Sequence, residues 1–318
     1  MRSGFSVVAN VSCDDRGVSD AVPFLQPLAG GHSGRTFVAE VAGERSVVRL
    51  YPVDDDVRGA HAPEIDEAVL RLVRGLVPVP QVLEVRREDA RAGRPGLLVT
   101  SWMSGERGDL VVGRLEAEGD DAGLARLGSA MGRVAATLAG MPVLRPGPFV
   151  DAELTVGTFP DGGLPEYVEA RLASWPAEER SRLAEVALAA EGVLDASTRS
   201  SLVHGDLNPK NVLVDPTTLD VVAVLDWEFA HAGHPWTDLG NLVRLERHPA
   251  YVESVLAAWS GLRGGEPSDL LDGARAADLW ALVDLAARAG QNPVADRAER
   301  LLATVARTGD LHAWAPGS

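Results

Sequence analysis

The chain has 318 residues, of which 46% are hydrophobic, enough to bury a sizeable core in one large or two modest domains and to exclude disorder as its main character. Its formal net charge of -16 argues against unaided binding to a nucleic acid polymer or an anionic membrane, both of which attract basic surfaces. With Cys13 as its single cysteine it has neither an internal disulfide nor a Cys-rich metal site. No apolar core long enough for a signal peptide follows Met1, and no run reaches the length of a membrane span, so a soluble cytoplasmic protein is expected.

Residues 1–22 are polar and aperiodic and read as a loose arm or an added edge element. "TFVAEVA" (Thr36 to Ala42) and "RSVVRLY" (Arg45 to Tyr51) are β-rich runs across a Gly-containing turn, a hairpin preceded by the Gly-rich "LAGGHSGR". "APEIDEAVLRLVRG" reads as an amphipathic helix: Pro63 suits its first turn, Ile65, Val69, Leu72 and Val73 recur at helical spacing, and Gly75 stops it. "VPVPQVLEV" and "GLLVTSWM" give two more strands, and "SGERGD" breaks the pattern. A lobe boundary near Met103 therefore divides 1–102 from 103–318. From Gly123 onward the reading is mainly helical, in "LARLGSAMGRVAATLAG", "PAEERSRLAEVALAAEGVL", "WTDLGNLVRLE", "PAYVESVLAAW", "AADLWALVDLAARAG" and "ADRAERLLATVAR".

The exception is Leu202 to Phe229. There "NVLVD" and "VVAVLD" flank the turn "PTTLD" and should form a second hairpin. An antiparallel hairpin returns the chain to where it began, so Asn211 and Asp226 lie side by side. An amide oxygen and a carboxylate held together are hard ligands suited to magnesium. Asp206, on the loop just before the first strand, comes within reach of the same point and can accept the proton of an attacking hydroxyl. Against these roles, both Asp residues compete with turn-capping, and His204 reads as a buried structural histidine. His231 and His234 have a metal-pair spacing but sit in a Gly/Pro loop with no third ligand in view, and no metal is assigned to them.

"HGDLNPKN" followed by "LDWE" is similar to the catalytic loop and metal Asp of the aminoglycoside phosphotransferase and related small-molecule kinase family, which shares the protein-kinase-like fold. The resemblance implies an α+β, two-lobe architecture: a small N-terminal lobe of antiparallel sheet with one main helix, and a larger, mainly helical C-terminal lobe. The first lobe would bind nucleotide; the second would carry catalysis and the acceptor. By position, Asp206 would orient and deprotonate the acceptor hydroxyl, and Asn211 and Asp226 would hold Mg2+ with ATP or GTP. "LAGGHSGRTFVAE" resembles the loop that covers the nucleotide, with Gly31, Ser33 and Gly34 approaching phosphate. Arg49 stands where the phosphate-pairing Lys usually sits, and Asp66 where an acid anchors that cation; guanidinium binds phosphate as a broad fork and ammonium as a point charge. Main-chain groups of Ser101 and Met103 would contact the purine, and Asp238 would brace the catalytic loop. Two positions depart from the pattern: Arg49 replaces Lys, and Ala139 occupies a site where relatives often have His.

The expected activity is transfer of the terminal phosphoryl group of ATP or GTP to a hydroxyl of a small molecule, an aminoglycoside or another antibiotic. A metabolite kinase acting on an amino alcohol or sugar is the alternative, as is a catalytically silent nucleotide-binding pseudokinase. The partners implied are a nucleotide and a small hydroxylated acceptor.

Overall fold

The computed structural model describes residues 24–28, 36–41, 43–51 and 58–314. The expected arm over residues 1–22 and the Gly31, Ser33 and Gly34 loop lie outside the described residues. The chain divides into two compact units, one holding the described residues through Glu67 with Gln81–Trp102, the other Ala68–Pro80 with Met103 onward.

Along the chain β1 (Phe24–Pro27), β2 (Thr36–Val41) and β3 (Glu44–Tyr51) precede helix α1 (Ala62–Val73), whose residues from Ala68 onward group with the second unit, and the strands β4 (Val82–Arg86) and β5 (Gly96–Ser101) follow it. They form a five-stranded antiparallel sheet in the order β1-β2-β3-β5-β4. Alternation puts Ala39, Val48, Leu97 and Val99 into one apolar cluster with Phe37 and Leu50. In α1 the buried stripe is Ala62, Ile65, Val69, Leu70 and Val73, joined by one carboxylate, Asp66. Leu72 falls just beyond the edge of that stripe and is 43% exposed, contrary to its expected place in the core; Leu70 on the opposite edge is buried instead.

The second unit continues with β6 (Glu106–Arg107), α2 (Gly108–Glu118), α3 (Asp121–Ala139), β7 (Pro142–Val143), β8 (Gly147–Pro148), α4 (Leu164–Arg171) and α5 (Ala177–Leu194). Then come β9 (Ser200–Val203), β10 (Val212–Val214), β11 (Val221–Val224), β12 (His231–Gly233), α6 (Thr237–Leu242), α7 (Pro249–Arg263), α8 (Pro267–Ala286) and α9 (Pro293–Thr308). Helices α4, α5, α8 and α9 enclose a large apolar core built on Leu164, Leu172, Leu183, Leu279, Val283, Leu301 and Leu302. Two small antiparallel sheets lie in this helical unit, β11-β10-β6 and β7-β9-β12-β8. Among the described residues no helix is long and apolar enough to cross a membrane.

The fold is thus mixed, with an antiparallel N-terminal sheet and a helical remainder. Beyond Leu72, the sequence reading does not include helix α4 or strands β7, β8, β9 and β12, and three further helices differ from it. The helix expected over "WTDLGNLVRLE" stops at Leu242, so Val243 onward leaves the helical path. Helix α8 begins at Pro267, well before "AADLW", because Glu266 and Pro267 supply a start signal upstream. Helix α2 begins inside "SGERGD" at Gly108, where a Cβ would lie 2.5 Å from Met131 Cε and 2.7 Å from the Pro209 carbonyl.

Candidate active site

Strand β9 ends at Val203 and releases the chain into a loop that reaches β10 through a short 3-10 turn, Pro209–Asn211. Strand β12 pairs with β9, and β10 pairs with β11, so the loop is suspended between the two small sheets. Its backbone is held donor by donor. Asp238 Oδ2 accepts the N–H of His204 at 2.9 Å and its Oδ1 that of Gly205 at 3.0 Å. His204 Nδ1 accepts from Asp206 N–H at 3.2 Å, and Asn241 Oδ1 from Leu207 N–H at 3.0 Å. The Asn208 N–H closes onto the Asp206 carbonyl at 2.8 Å. Five successive amides therefore have acceptors, which fixes the loop where water-exposed loops ordinarily fluctuate. Gly205 is required here: its φ is +80°, and a Cβ would lie 2.4 Å from the Phe229 carbonyl oxygen.

The loop presents Asp206 with its carboxylate oriented by two amides. Asn208 Nδ2 donates to Oδ1 at 2.8 Å, and Asn211 Nδ2 donates to Oδ2 and to the Asp206 carbonyl, each at 2.9 Å. Because the amino end of Asn211 is spent on Asp206, its Oδ1 is the end available to a cation. Val212 pairs with Val224 in the hairpin, and Leu225 N–H donates to the Asn211 carbonyl at 2.8 Å. This sets Asp226 one residue past the partner of Asn211, in the left-handed region at φ 63° and ψ 62°. Asp is among the few non-glycine residues that tolerate that conformation, and it turns the chain sharply at the strand end. His204 locks the two parts together. Fully buried, it donates Nε2–H to the Leu225 carbonyl at 2.8 Å and packs on Trp227 at 4.6 Å between centroids.

Behind Asp206 lies a group of residues that carried no signal in the sequence. Arg244 NH1 is 3.7 Å from Asp206 Oδ1, while its Nε and NH2 grip Asp278 at 2.8 to 3.0 Å. Asn241 Nδ2 donates to the same Asp278 at 3.0 Å. Asp238 and Asn241 come from α6, one turn apart. Burial raises the Asp238 carboxyl above its ordinary value, opposed by the nearby His204 ring and by the two loop amides it accepts.

Magnesium binds a few protein oxygens and completes its shell with water and phosphate. Asn211 Oδ1 and the Asp226 carboxylate, on adjoining strand ends, fit that habit; a self-sufficient protein cage does not exist, since no three His, Cys, Asp or Glu gather among the described residues. His231 is neutralised by burial, which lowers its pKa, and its Nδ1–H donates to the Phe229 carbonyl at 2.8 Å. His234 is pushed down to about 4 by burial, and its Nδ1 accepts from Trp236 N–H. Both are thus engaged locally.

In the first unit Arg49 sits on the central strand β3, between Thr36 and Leu98. Its guanidinium lies 5.3 Å from the Tyr51 ring centroid. Asp66, expected to face Arg49, takes its hydrogen bonds elsewhere: Tyr51 Oη donates to Oδ2 at 2.5 Å and Arg58 donates to Oδ1. The aromatic ring thus stands where a direct ion pair with Arg49 was expected, and Arg58 supplies the cation. Neither Tyr51 nor Arg58 was legible from spacing. Ser101 spends its N–H on the Gln81 carbonyl at 2.8 Å, and its Oγ accepts Gln81 N–H at 2.9 Å. Met103 is half-buried where the chain re-enters the second unit.

Solved structures share this fold, that of the kinase-like aminoglycoside phosphotransferases. The GDP complex of wild-type aminoglycoside 2'-phosphotransferase-IIIa superposes with a TM-score of 0.63 at 18% identity, covering 90% of this chain and 93% of that one. A thermostable mutant of aminoglycoside phosphotransferase APH(4)-Ia, in ternary complex with ADP and hygromycin B, gives 0.62 at 19% identity over 90% and 94%. A putative aminoglycoside phosphotransferase from Ralstonia eutropha JMP134 gives 0.59 at 19% over 90% and 91%. The chain belongs to the phosphotransferase enzyme family, whose model matches residues 25–271. Among curated proteins, acyl-CoA dehydrogenase family member 10 of Mus musculus is 25% identical over 218 residues, 66% of this chain and 19% of that protein. Family member 11 of Homo sapiens is 40% identical over 74 residues, 23% of this chain and 10% of that protein. The chain spans under a fifth of the length of these relatives.

Proposed function

We propose that this phosphotransferase moves the terminal phosphoryl group of ATP or GTP to a hydroxyl of a small molecule, as a soluble cytoplasmic enzyme, with Asp206 as the base. The observation that carries the reading is Asp206 itself, its carboxylate oriented by Asn208 and Asn211 on a loop whose amides are all held. A hydroxyl docked against Asp206 loses its proton to the carboxylate as its oxygen bonds to phosphorus. The bond from phosphorus to the bridging oxygen breaks, and its electron pair leaves with the nucleoside diphosphate. Asn211 Oδ1 and Asp226 would hold Mg2+, which when bound neutralises phosphate charge. Gly31, Ser33 and Gly34 would cover the phosphates and Arg49 would pair with them; main-chain groups of Ser101 and Met103 would meet the purine, with the Ser101 N–H already committed to Gln81. Asp66 would serve this scheme indirectly, by holding the hydroxyl of Tyr51, whose ring lies against the Arg49 guanidinium.

The acceptor class is drawn from the neighbours, one of which is complexed with hygromycin B. Aminoglycosides and other hydroxylated antibiotics come first, and amino alcohols and sugars second. The test is ADP and GDP formation from Mg-ATP and Mg-GTP across that panel, with Asp206→Asn as control. A product that vanishes in the variant supports the reading and names the acceptor. A product of undiminished yield in Asp206→Asn overturns it, and tight nucleotide binding with no product from any acceptor favours a binding protein.

A further inference from the structure

Asp278 lies on α8, 72 residues beyond Asp206 in the chain and outside every motif, yet it is only 1% exposed and both of its oxygens are used. Oδ1 accepts from Asn241 Nδ2 at 3.0 Å and from Arg244 NH2 at 2.8 Å; Oδ2 accepts from Arg244 Nε at 3.0 Å. A carboxylate gripping the Nε and NH2 edge of a guanidinium leaves only NH1 to point elsewhere, and NH1 lies 3.7 Å from Asp206 Oδ1. That is an ion pair without a hydrogen bond. The other Asp278 partner, Asn241, holds the N–H of Leu207, the residue after Asp206.

We propose that Asp278 is a positioning residue for the phosphoryl-transfer base: one buried carboxylate on α8 fixes both the backbone that follows Asp206 and the cation behind its carboxylate. The inference rests on Asp206 being the base. The arrangement depends on close approach of α6 to α8, which Gly240 permits; a Cβ there would lie 2.3 Å from the Ala274 carbonyl and 2.9 Å from Asp278 Cβ. It also depends on charge. Arg247 and Arg275 feel Asp278 as well, and burial together with Arg247 pushes Arg275 down to about 9, so cations crowd this carboxylate. With Asp278 neutral, the nearest remaining carboxylate for the buried Arg244 guanidinium is Asp206. The guanidinium would then turn fully onto Asp206 and take the oxygen that the acceptor proton needs.

The experiment reads ADP release from Mg-ATP with water as the acceptor, nucleotide affinity by calorimetry, and amide hydrogen exchange along the loop. Asp278→Asn is expected to lower kcat about 10- to 100-fold, the cost of misplacing a catalytic group by about 1 Å. Its nucleotide Kd stays within about twofold, the Leu207 amide loses protection, and Asp278→Glu recovers most of the turnover. In Asp278→Asn with Arg244→Met, the effects do not add, because both act through one contact. Wild-type kcat and Leu207 protection in folded Asp278→Asn would overturn the inference, as would additivity. Should Asp278→Asn fail to fold, Asn241→Ala, Arg244→Met and their double variant carry the same test: coupling through the shared carboxylate supports the proposal, and independence sinks it. Full turnover in Asp206→Asn overturns the base itself; a dead Asp206→Asn beside a normal Asp278→Asn overturns this inference alone.

Discussion

At Asp206 the decisive property is a carboxylate held in one orientation, since both of its oxygens accept from side-chain amides of the loop. Asp206→Asn keeps the shape and removes the proton acceptor, while setting an NH2 group against one of two amide donors. Turnover should fall about 100- to 10,000-fold, the usual worth of a positioned base, with nucleotide affinity retained by calorimetry. A second residue-level prediction concerns Tyr51. Burial, and then the Asp66 charge, hold its phenol well above the ordinary range, so it stays protonated and donates to Asp66. Tyr51→Phe leaves one oxygen of a buried carboxylate without a donor, and urea denaturation should show a loss of about 1 to 3 kcal/mol. A neutral effect would mean that Arg58 alone satisfies Asp66.

At the level of elements, the short helix α6 does the work expected of a longer one. Its Asp238 and Asn241 hold three loop amides, and Gly240 on the same helix sets its distance from α8. Gly240→Ala should therefore lower turnover about 10-fold or more, through a site that touches no reactant; unchanged kinetics in the folded variant would show that α6 and α8 can separate without moving the loop. The same elements mark where sequence reasoning ends. The β10/β11 hairpin was legible because its pattern is local, β-rich runs around a turn in which Asp215 accepts Thr217 and Thr218 N–H groups. That local order put Asn211 and Asp226 on adjoining strand ends. Helices α5 and α9 were legible from their apolar spacing. Arg244 and Asp278 were not, because their meaning lies in a pairing 34 residues apart, and a buried Arg or Asp inside an Ala- and Leu-rich run has the same periodicity as an exposed one. For Asp66, α1 was foreseen with Ile65, Val69 and Val73 of its buried stripe, though not Leu70 in place of Leu72, but the Tyr51 and Arg58 contacts depend on where the segment before α1 returns. Helix α2 escaped notice because Gly108 and Gly113 lower its propensity, and packing of Val111, Val112 and Leu115 forms it regardless.

Across the whole molecule, burial of charge leaves a signature in the pH dependence of stability. Glu246, half-buried after α6, is pushed from its ordinary 4.5 up to about 7 by desolvation, which outweighs the nearby Arg297 and Arg244. A raised carboxyl means the folded state keeps a proton that the unfolded state has lost, so its contribution is fully present below pH 4.5 and declines as pH rises to about 7. His234 works in the opposite sense. Burial lowers it from 6.5 to about 4, so the unfolded state binds the proton first and stability is lost as pH falls through that window. Each shift amounts to up to about 3 kcal/mol, and between pH 4.5 and 6.5 the two slopes oppose. His231, lowered by burial in the same direction as His234, tilts the balance toward stability that rises with pH. Glu246→Gln removes one side of the opposition. Its stability relative to the wild type should climb between pH 4.5 and 7, by up to about 3 kcal/mol, and stay level above that range. Denaturation midpoints for both proteins at pH 5, 6, 7 and 8 decide it: a gap that widens toward pH 7 places the proton on Glu246 in the folded state, and a constant gap means this carboxylate titrates as it does in water.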